Sequence, residues 1–147
     1  EAVAMFQTAM LASVDPNQLP MDPVTKEPLK DALTVLQAMQ GAIQVLDAGS
    51  LKDQPLVEAG VRYTIGNTLS ELGRYDEAEP NLRKALAIRR EVLEPGDLAI
   101  ASSLNGLGTL LIAQDRLVEA EALHREALEI VRAAVPAGHP QIAYSLN

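Results

Sequence analysis

Histidines are the residues of this sequence best suited to metal binding or proton transfer. His124 and His139 are the chain's only two histidines; they lie 15 positions apart, and the sequence contains no cysteine. A zinc site needs three or four ligands brought together, and general acid–base catalysis needs a histidine positioned against a reacting group. His139 stands before Pro140 at the start of a predicted helix, and His124 lies on a predicted packing face. We therefore predict neither a metal site nor a catalytic histidine.

Two carboxylate pairs, Glu77/Glu79 and Glu119/Glu121, have the residue type that acid–base enzymes use. Each pair falls in the first turn of a predicted helix, where acidic side chains stabilise the positive end of the helix dipole. We therefore interpret both pairs as structural.

Two other short motifs favour structural roles. Gly106-Leu107-Gly108 has no strand before it and lies inside a predicted helix, unlike a phosphate-binding loop. Arg89-Arg90 we interpret as a solvated helix end rather than a docking patch. Together with the histidines and carboxylates, these motifs predict that the chain is not an enzyme and binds no cofactor.

The composition indicates an all-α protein. The 147 residues are 48% apolar but only 3% aromatic, with no Trp and one Phe, and helix-forming residues dominate over strand formers. The net charge of −8 disfavours nucleic acid and anionic membrane surfaces as partners. No apolar run approaches the roughly 20 residues that span a bilayer. The chain has no initiator Met, so we expect a fragment of a longer protein.

An internal repeat of 42 residues organises the second part of the chain. Residues 65–105 align without a gap on residues 107–147, and 17 of these 41 positions are identical. Matching blocks include Glu77-Ala78-Glu79 with Glu119-Ala120-Glu121, and Ser103-Leu104-Asn105 with Ser145-Leu146-Asn147. A repeat of this length predicts one supersecondary unit stacked on the next.

Each unit is predicted to contain two helices, A and B. In the first unit Val61, Ile65 and Leu69 form an apolar stripe on helix A, and Gly73 ends that helix. Asp76 is the predicted N-cap of helix B, and Pro80 is placed in its first turn. The predicted helices cover residues 56–72, 75–93, 98–114 and 117–135. The organisation is therefore an N-terminal helical or capping segment (1–55), repeat 1 (56–97), repeat 2 (98–139) and the start of a truncated repeat 3 (140–147).

The repeated pattern resembles the tetratricopeptide repeat. The resemblance is carried by Leu104, Leu107-Gly108, Leu111, Ala120 and Ala127, with Ile65-Gly66, Leu69, Ala78 and Ala85 in the first unit. The 42-residue period and the Glu-Ala-Glu and Ala-Leu-x-Ile blocks are similar to the kinesin-light-chain type of repeat. This resemblance implies an all-α, right-handed solenoid of stacked antiparallel helix pairs that acts as a protein–protein interaction scaffold.

Three positions depart from that family pattern. Arg62 stands where the family has a large apolar residue, as expected for an outer, capping unit. Asp97-Leu98 replaces the His-Pro of the linker, and His124 replaces an aromatic residue or Leu.

Residues 1–55 lie outside the repeat and contain two predicted helices, at 2–13 and 28–47. Met10-Leu11-Ala12-Ser13-Val14-Asp15-Pro16 and Asp53-Gln54-Pro55 resemble a segment of bacterial multidomain proteins, between a serine/threonine protein kinase domain and a C-terminal tetratricopeptide array. The resemblance implies the regulatory region of a larger bacterial signalling protein. No kinase motif is present in this sequence, so kinase activity is not implied.

A row of mostly polar, uncharged residues on the A helices is the predicted peptide-binding site. Because residues at i, i+4 and i+7 share a helix face, and the A helices of stacked pairs line the concave side, these residues should form one groove. The predicted site residues are Tyr63, Asn67, Ser70, Asn105, Thr109, Ile112 and Asn147. Such a row can hydrogen-bond an extended peptide, or it can simply be solvated surface.

Two alternatives remain open from the sequence. A pocket between the N-terminal helices and repeat 1 would make the protein a small-ligand sensor or an enzyme fragment. Exposed solenoid ends would instead let the chain form a homo-oligomer. The preferred prediction is a protein or peptide partner, no direct membrane contact by this segment, and a cytoplasmic location.

Overall fold

The computed structural model describes residues 35–134, which contain five α-helices and no β-strand. They are α1 (Val35–Asp47), α2 (Pro55–Glu71), α3 (Tyr75–Val92), α4 (Leu98–Ala113) and α5 (Leu117–Ala134). The predicted helix at 2–13, the first part of the helix at 28–47 and the start of repeat 3 lie outside the described residues. The all-α prediction is confirmed for the described part of the chain.

The chain divides into two units, Glu1–Asp53 and Gln54–Asn147. In the first unit, α1 has one buried face formed by Gly41, Ala42, Val45 and Leu46. Gly49, with φ of +84°, follows the end of α1 in the left-handed conformation that glycine adopts readily.

The second unit is built from two helix pairs. Helix α2 packs against α3 and α4 against α5, while α3 and α4 join one pair to the next and α2 also touches α4. The helix pairs coincide with the predicted helices A and B of repeats 1 and 2. Their interior is made of Leu and Ala side chains, such as Leu69, Leu82 and Leu107, that are fully buried. This burial is the main force that stabilises stacked helix pairs.

Close helix contact depends on small residues. A Cβ added at Gly66 would stand 2.6 Å from Cγ of Leu82 and 3.3 Å from the carbonyl oxygen of Ala78. Ala78 and Ala85 on α3 are completely buried. Their equivalents on α5, Ala120 and Ala127, are at most 1% exposed. Small side chains at these positions let the axes of the paired helices approach closely.

The turns between the paired helices have the same hydrogen bonds in both repeats. The backbone N–H of Arg74 donates to the carbonyl oxygen of Leu69 at 2.8 Å. The backbone N–H of Arg116 donates to the carbonyl oxygen of Leu111 at the same distance of 2.8 Å. The residue before each of these arginines, Gly73 or Asp115, also donates its backbone N–H to the end of the helix. The two bonds together make each turn a Schellman motif, which requires one left-handed residue. That residue is Gly73 in the first turn, with φ of +73°, and Asp115 in the second, with φ of +61°.

Helix starts differ in detail from the sequence prediction. Helix α3 begins at Tyr75 with Arg74 as its N-cap, so Asp76 lies in the first turn and is not the cap. Pro80 is consequently in the second turn, inside the helix. Its missing N–H leaves the Asp76 carbonyl without its helical partner, a loss that water can offset because both residues are exposed. Asp97 does cap α4, since its carboxylate accepts a 2.7 Å hydrogen bond from Ala99 N–H.

Candidate functional site

The predicted binding face lies on α2 and α4, the first helices of the two repeats. Tyr63, Asn67 and Ser70 on α2 are all half-buried. On α4, Thr109 is exposed and Ile112 keeps 51% of its surface accessible, while Asn105 is half-buried. Asn147, the remaining predicted site residue, lies outside the described residues.

The two rows meet at Gly106. A Cβ added there would stand 2.8 Å from Cε2 of Tyr63 and 3.1 Å from Oδ1 of Asn67. The absence of a side chain at this position therefore lets Tyr63 and Asn67 lie against the backbone of α4. Part of the predicted face thus also contributes to contact between the repeats.

Arg89 connects both repeats instead of pointing into solvent. Its guanidinium lies 4.8 Å from the centre of the Tyr63 ring, a cation–π distance. The same group donates to the Ala99 carbonyl at 3.0 Å and to Oγ of Ser103 at 2.7 Å. Arg90 reaches across as well, and its Nη2 donates to both carboxylate oxygens of Glu126. The interpretation of Arg89-Arg90 as a solvated helix end was wrong for Arg89, which contacts Tyr63 of repeat 1 and Ser103 of repeat 2. Arg90 is exposed, as a solvated helix end requires, although it pairs with Glu126.

His124 packs within repeat 2, as its predicted place on a packing face requires. A Cβ added at Gly108 would stand 2.6 Å from Nε2 of His124, and the ring's Nδ1 lies 2.9 Å from Oδ1 of Asn105. His124 occupies the place that Leu82 has in repeat 1. Asn105 therefore bonds to α5, a contact that the row spacing alone did not reveal.

Three polar side chains of the row make no hydrogen bond to any other described residue: Asn67, Ser70 and Thr109. They provide one amide and two hydroxyl groups, each able to donate and to accept. Among the predicted site residues, Tyr63 thus contacts Arg89 and Asn105 bonds His124. Asn67 packs against Gly106 without a hydrogen bond, and its amide and the hydroxyls of Ser70 and Thr109 remain available.

The carboxylates of the helix starts form ion pairs. Glu79 accepts from Arg116 at 2.8 Å and from Arg83 at 2.8 Å. Arg116 also bonds Glu119 at 2.7 Å, so this cluster joins the two repeats. In repeat 1 Arg74 pairs with Glu77, and in repeat 2 Arg125 pairs with Glu121.

These arginines control the ionisation of the cluster. Partial burial raises the pKa of the Glu79 carboxyl, but hydrogen bonds from Arg83 and Arg116 outweigh burial and leave the pKa below its ordinary value. The hydrogen bond from Arg116 likewise lowers the pKa of Glu119. Hydrogen bonds to Glu119 and Glu79 raise the pKa of Arg116 further above its ordinary value. The cluster therefore stays ionised near neutral pH and does not hold the protonated carboxyl that a general acid requires.

Arg62 forms a second polar cluster, inside repeat 1. Its side chain is only 2% exposed, Nε donates to Glu58 at 2.7 Å, and a guanidinium nitrogen lies 3.3 Å from Oδ1 of Asn81. Arg62 is therefore buried with its charge paired, at a position where the family has a large apolar residue.

Within residues 35–134, no three His, Asp or Glu side chains are grouped closely enough to hold a metal ion. The helices of that range are also too short or too polar to cross a bilayer.

Comparison with known families agrees with the helix pairs. The family described as Tetratricopeptide repeat matches residues 58–133, just over half of the chain. A comparison with curated protein sequences found no match. The match covers α2 to α5 almost completely, and repeats of this family generally mediate protein–protein interactions. With its two stacked helix pairs and this match, the chain belongs to the tetratricopeptide repeat family.

Proposed function

We propose that the chain is a non-catalytic scaffold that binds a peptide segment of a partner protein across the A helices α2 and α4. The observation that carries this proposal is the set of unused polar groups on Asn67, Ser70 and Thr109, next to the exposed Ile112. A polar side chain that makes no internal bond contributes little to folding, so its placement on one face favours a binding role.

The proposed recognition mode uses main-chain hydrogen bonds. The amide of Asn67 and the hydroxyls of Ser70 and Thr109 can bond to the N–H and C=O groups of an extended peptide. Ile112 would contact an apolar side chain of that peptide. The row contains no Lys or Arg, so we do not expect the peptide to be gripped by a terminal carboxylate.

The wider setting is also a proposal and rests on the sequence. The 42-residue spacing supports a repeat of the kinesin-light-chain type, and residues 1–55 support a place in the regulatory region of a larger bacterial signalling protein. We propose that this region lies in the cytoplasm, whether or not the parent protein is anchored in a membrane elsewhere. Sequencing the neighbouring coding region tests this setting. A parent gene without a kinase domain would contradict it.

A peptide selection tests the binding face. The 147-residue chain would be used to select peptides from a random phage library, and each selected peptide would be labelled and titrated by fluorescence anisotropy. We expect Asn67→Ala/Thr109→Ala to weaken binding about tenfold, since each lost hydrogen bond contributes about 0.5–1.5 kcal/mol. Asn105 is left unchanged because its bond to His124 is structural.

Thr64→Ala/Thr68→Ala is the matched control. These two hydroxyls lie on α2 but bond to the helix's own carbonyls at Gly60 and Thr64. Selected peptides should bind this control as tightly as the wild type. If no peptide is selected, or if peptides bind both double variants equally, the A-helix face is not the binding site.

A further inference from the structure

The edge of the repeat unit at the two A–B turns carries three largely exposed apolar side chains. Leu72 is 56% exposed, Leu117 is 56% exposed and Val118 is 83% exposed. Both turns lie at one edge, because Arg116 in the second turn bonds Glu79 near the start of α3. We call this surface the turn edge; it consists of these three apolar residues and the carboxylates of Glu71, Asp76 and Asp115.

Local stability does not account for Val118. It lies in the first turn of α5, where a β-branched residue has low helix propensity and an acidic residue would interact well with the helix dipole. The equivalent residue in repeat 1 is Asp76, so this fold accepts a polar side chain at the position. Val118 breaks the local preference without gaining burial, which indicates that another molecule covers it.

The charges around these apolar residues have one sign. Glu71, Asp76 and Asp115 are exposed and form no ion pair with any residue in the described part of the chain. The arginines of the two turns are already engaged, Arg74 by Glu77 and Arg116 by Glu79 and Glu119. The turn edge therefore presents apolar side chains in a negative field.

We propose that the turn edge is a second binding surface, separate from the A-helix face, for a protein segment that combines apolar with basic side chains. Apolar residues of that segment would cover Leu117 and Val118, and its Lys or Arg residues would approach the unpaired carboxylates. A second copy of the chain fits this surface poorly, because dimerisation through it would bring two sets of carboxylates together. An anionic lipid surface is repelled for the same reason.

The test uses two fluorescein-labelled probes, a 14-residue amphipathic helix of Leu and Lys and its Leu and Glu counterpart. Each probe is titrated by anisotropy with the 147-residue chain. We expect saturable binding of the Leu/Lys peptide, weakened about tenfold by Leu117→Ser/Val118→Ser because two apolar contacts are lost. Leu98→Ser/Val92→Ser is the matched control and should bind like the wild type, since these residues are 37% and 45% exposed at the opposite edge.

A second pair of variants tests the charges. Asp76→Asn/Asp115→Asn should weaken Leu/Lys binding about fivefold at low salt, and added salt should reduce this difference. Glu91→Gln/Glu129→Gln removes the same number of exposed carboxylates elsewhere and should have a much smaller effect. Melting curves by circular dichroism verify that every variant is folded.

Several results would overturn the proposal. They are absence of Leu/Lys binding, equal binding of the Leu/Glu peptide, binding unaffected by Leu117→Ser/Val118→Ser, and a wild-type dimer that this double variant dissociates. Failure here is separate from failure of the A-helix face, because Asn67→Ala/Thr109→Ala should bind the Leu/Lys peptide normally.

Discussion

Arg62 and Leu104 occupy equivalent positions 42 residues apart, and both side chains are buried, to 2% and 0% exposure. The residues around Arg62 are polar, and the equivalent residues around Leu104 are apolar. Glu58 and Asn81 bond Arg62 in repeat 1, whereas their equivalents Ile100 and Leu123 are apolar in repeat 2. Repeat 1 thus differs from repeat 2 at three residues that replace an apolar contact by a polar one, and the charge of Arg62 stays paired.

This difference predicts opposite effects for single and triple substitution. Arg62→Leu alone should destabilise the protein by about 3 kcal/mol, because Glu58 and Asn81 lose their partner. The triple variant Glu58→Ile/Arg62→Leu/Asn81→Leu rebuilds the repeat 2 contact and should be as stable as the wild type, or up to about 2 kcal/mol more stable. Urea unfolding monitored by circular dichroism measures both. A triple variant less stable than Arg62→Leu would contradict this account.

The glycines of α2 provide a second prediction. Gly66→Ala should destabilise the protein by about 2 kcal/mol, since its Cβ would overlap Leu82 and approach the backbone of α3. Gly60→Ala on the same helix has no atom within 4 Å of the new Cβ. It should stabilise by about 1 kcal/mol through helix propensity. Thermal unfolding of the two variants checks both signs. A Gly66→Ala variant more stable than the wild type would show that α2 and α3 are far enough apart at this position to accept a Cβ.

The predictable part of this fold came from repetition. Two copies of one pattern in register located both ends of α2 to α5 to within one residue, because each copy supports the other's helix limits. The small residues Gly66 and Gly108 recur in both copies, and both lie where the paired helices touch.

What could not be predicted depends on which side chains meet between different helices. Arg89 has no equivalent arginine, since Val131 occupies its place in repeat 2, and its partners Tyr63 and Ser103 come from two other helices. Asn105 was assigned to the binding row by spacing, but its oxygen lies 2.9 Å from His124. Helix periodicity identifies a face; it does not say which neighbour reaches that face.

The two A–B turns predict a difference between glycine and aspartate. Gly73→Ala should destabilise by about 1 kcal/mol, because its φ of +73° is unfavourable for a residue with a Cβ and no steric contact is involved. Asp115→Gly should stabilise by about 0.5 kcal/mol, because glycine relieves the left-handed strain at φ of +61° but raises the entropy of the unfolded chain. Chemical unfolding measures both variants. If Gly73→Ala and Asp115→Gly both leave the stability unchanged, the turn does not hold its left-handed residue in solution.

The ion-pair cluster between the repeats predicts how stability depends on pH. In the folded protein the pKa of Glu79 is below its ordinary value because Arg83 and Arg116 outweigh its burial. In the unfolded chain the carboxyl returns to about 4.3. The stabilisation is therefore complete above that value and is lost as the pH falls through the lower, folded pKa.

Glu79→Gln should remove this part of the pH dependence. Urea unfolding between about pH 6 and pH 3 should show a shallower loss of stability for Glu79→Gln than for the wild type, and a cost of about 0.5–1 kcal/mol at pH 7. Glu121→Gln is the matched control, because this equivalent carboxylate is 69% exposed and, among residues 35–134, pairs with Arg125 alone. Identical pH profiles for the two variants would mean that the arginines from both repeats do not hold Glu79 ionised, and that the cluster contributes nothing to stacking.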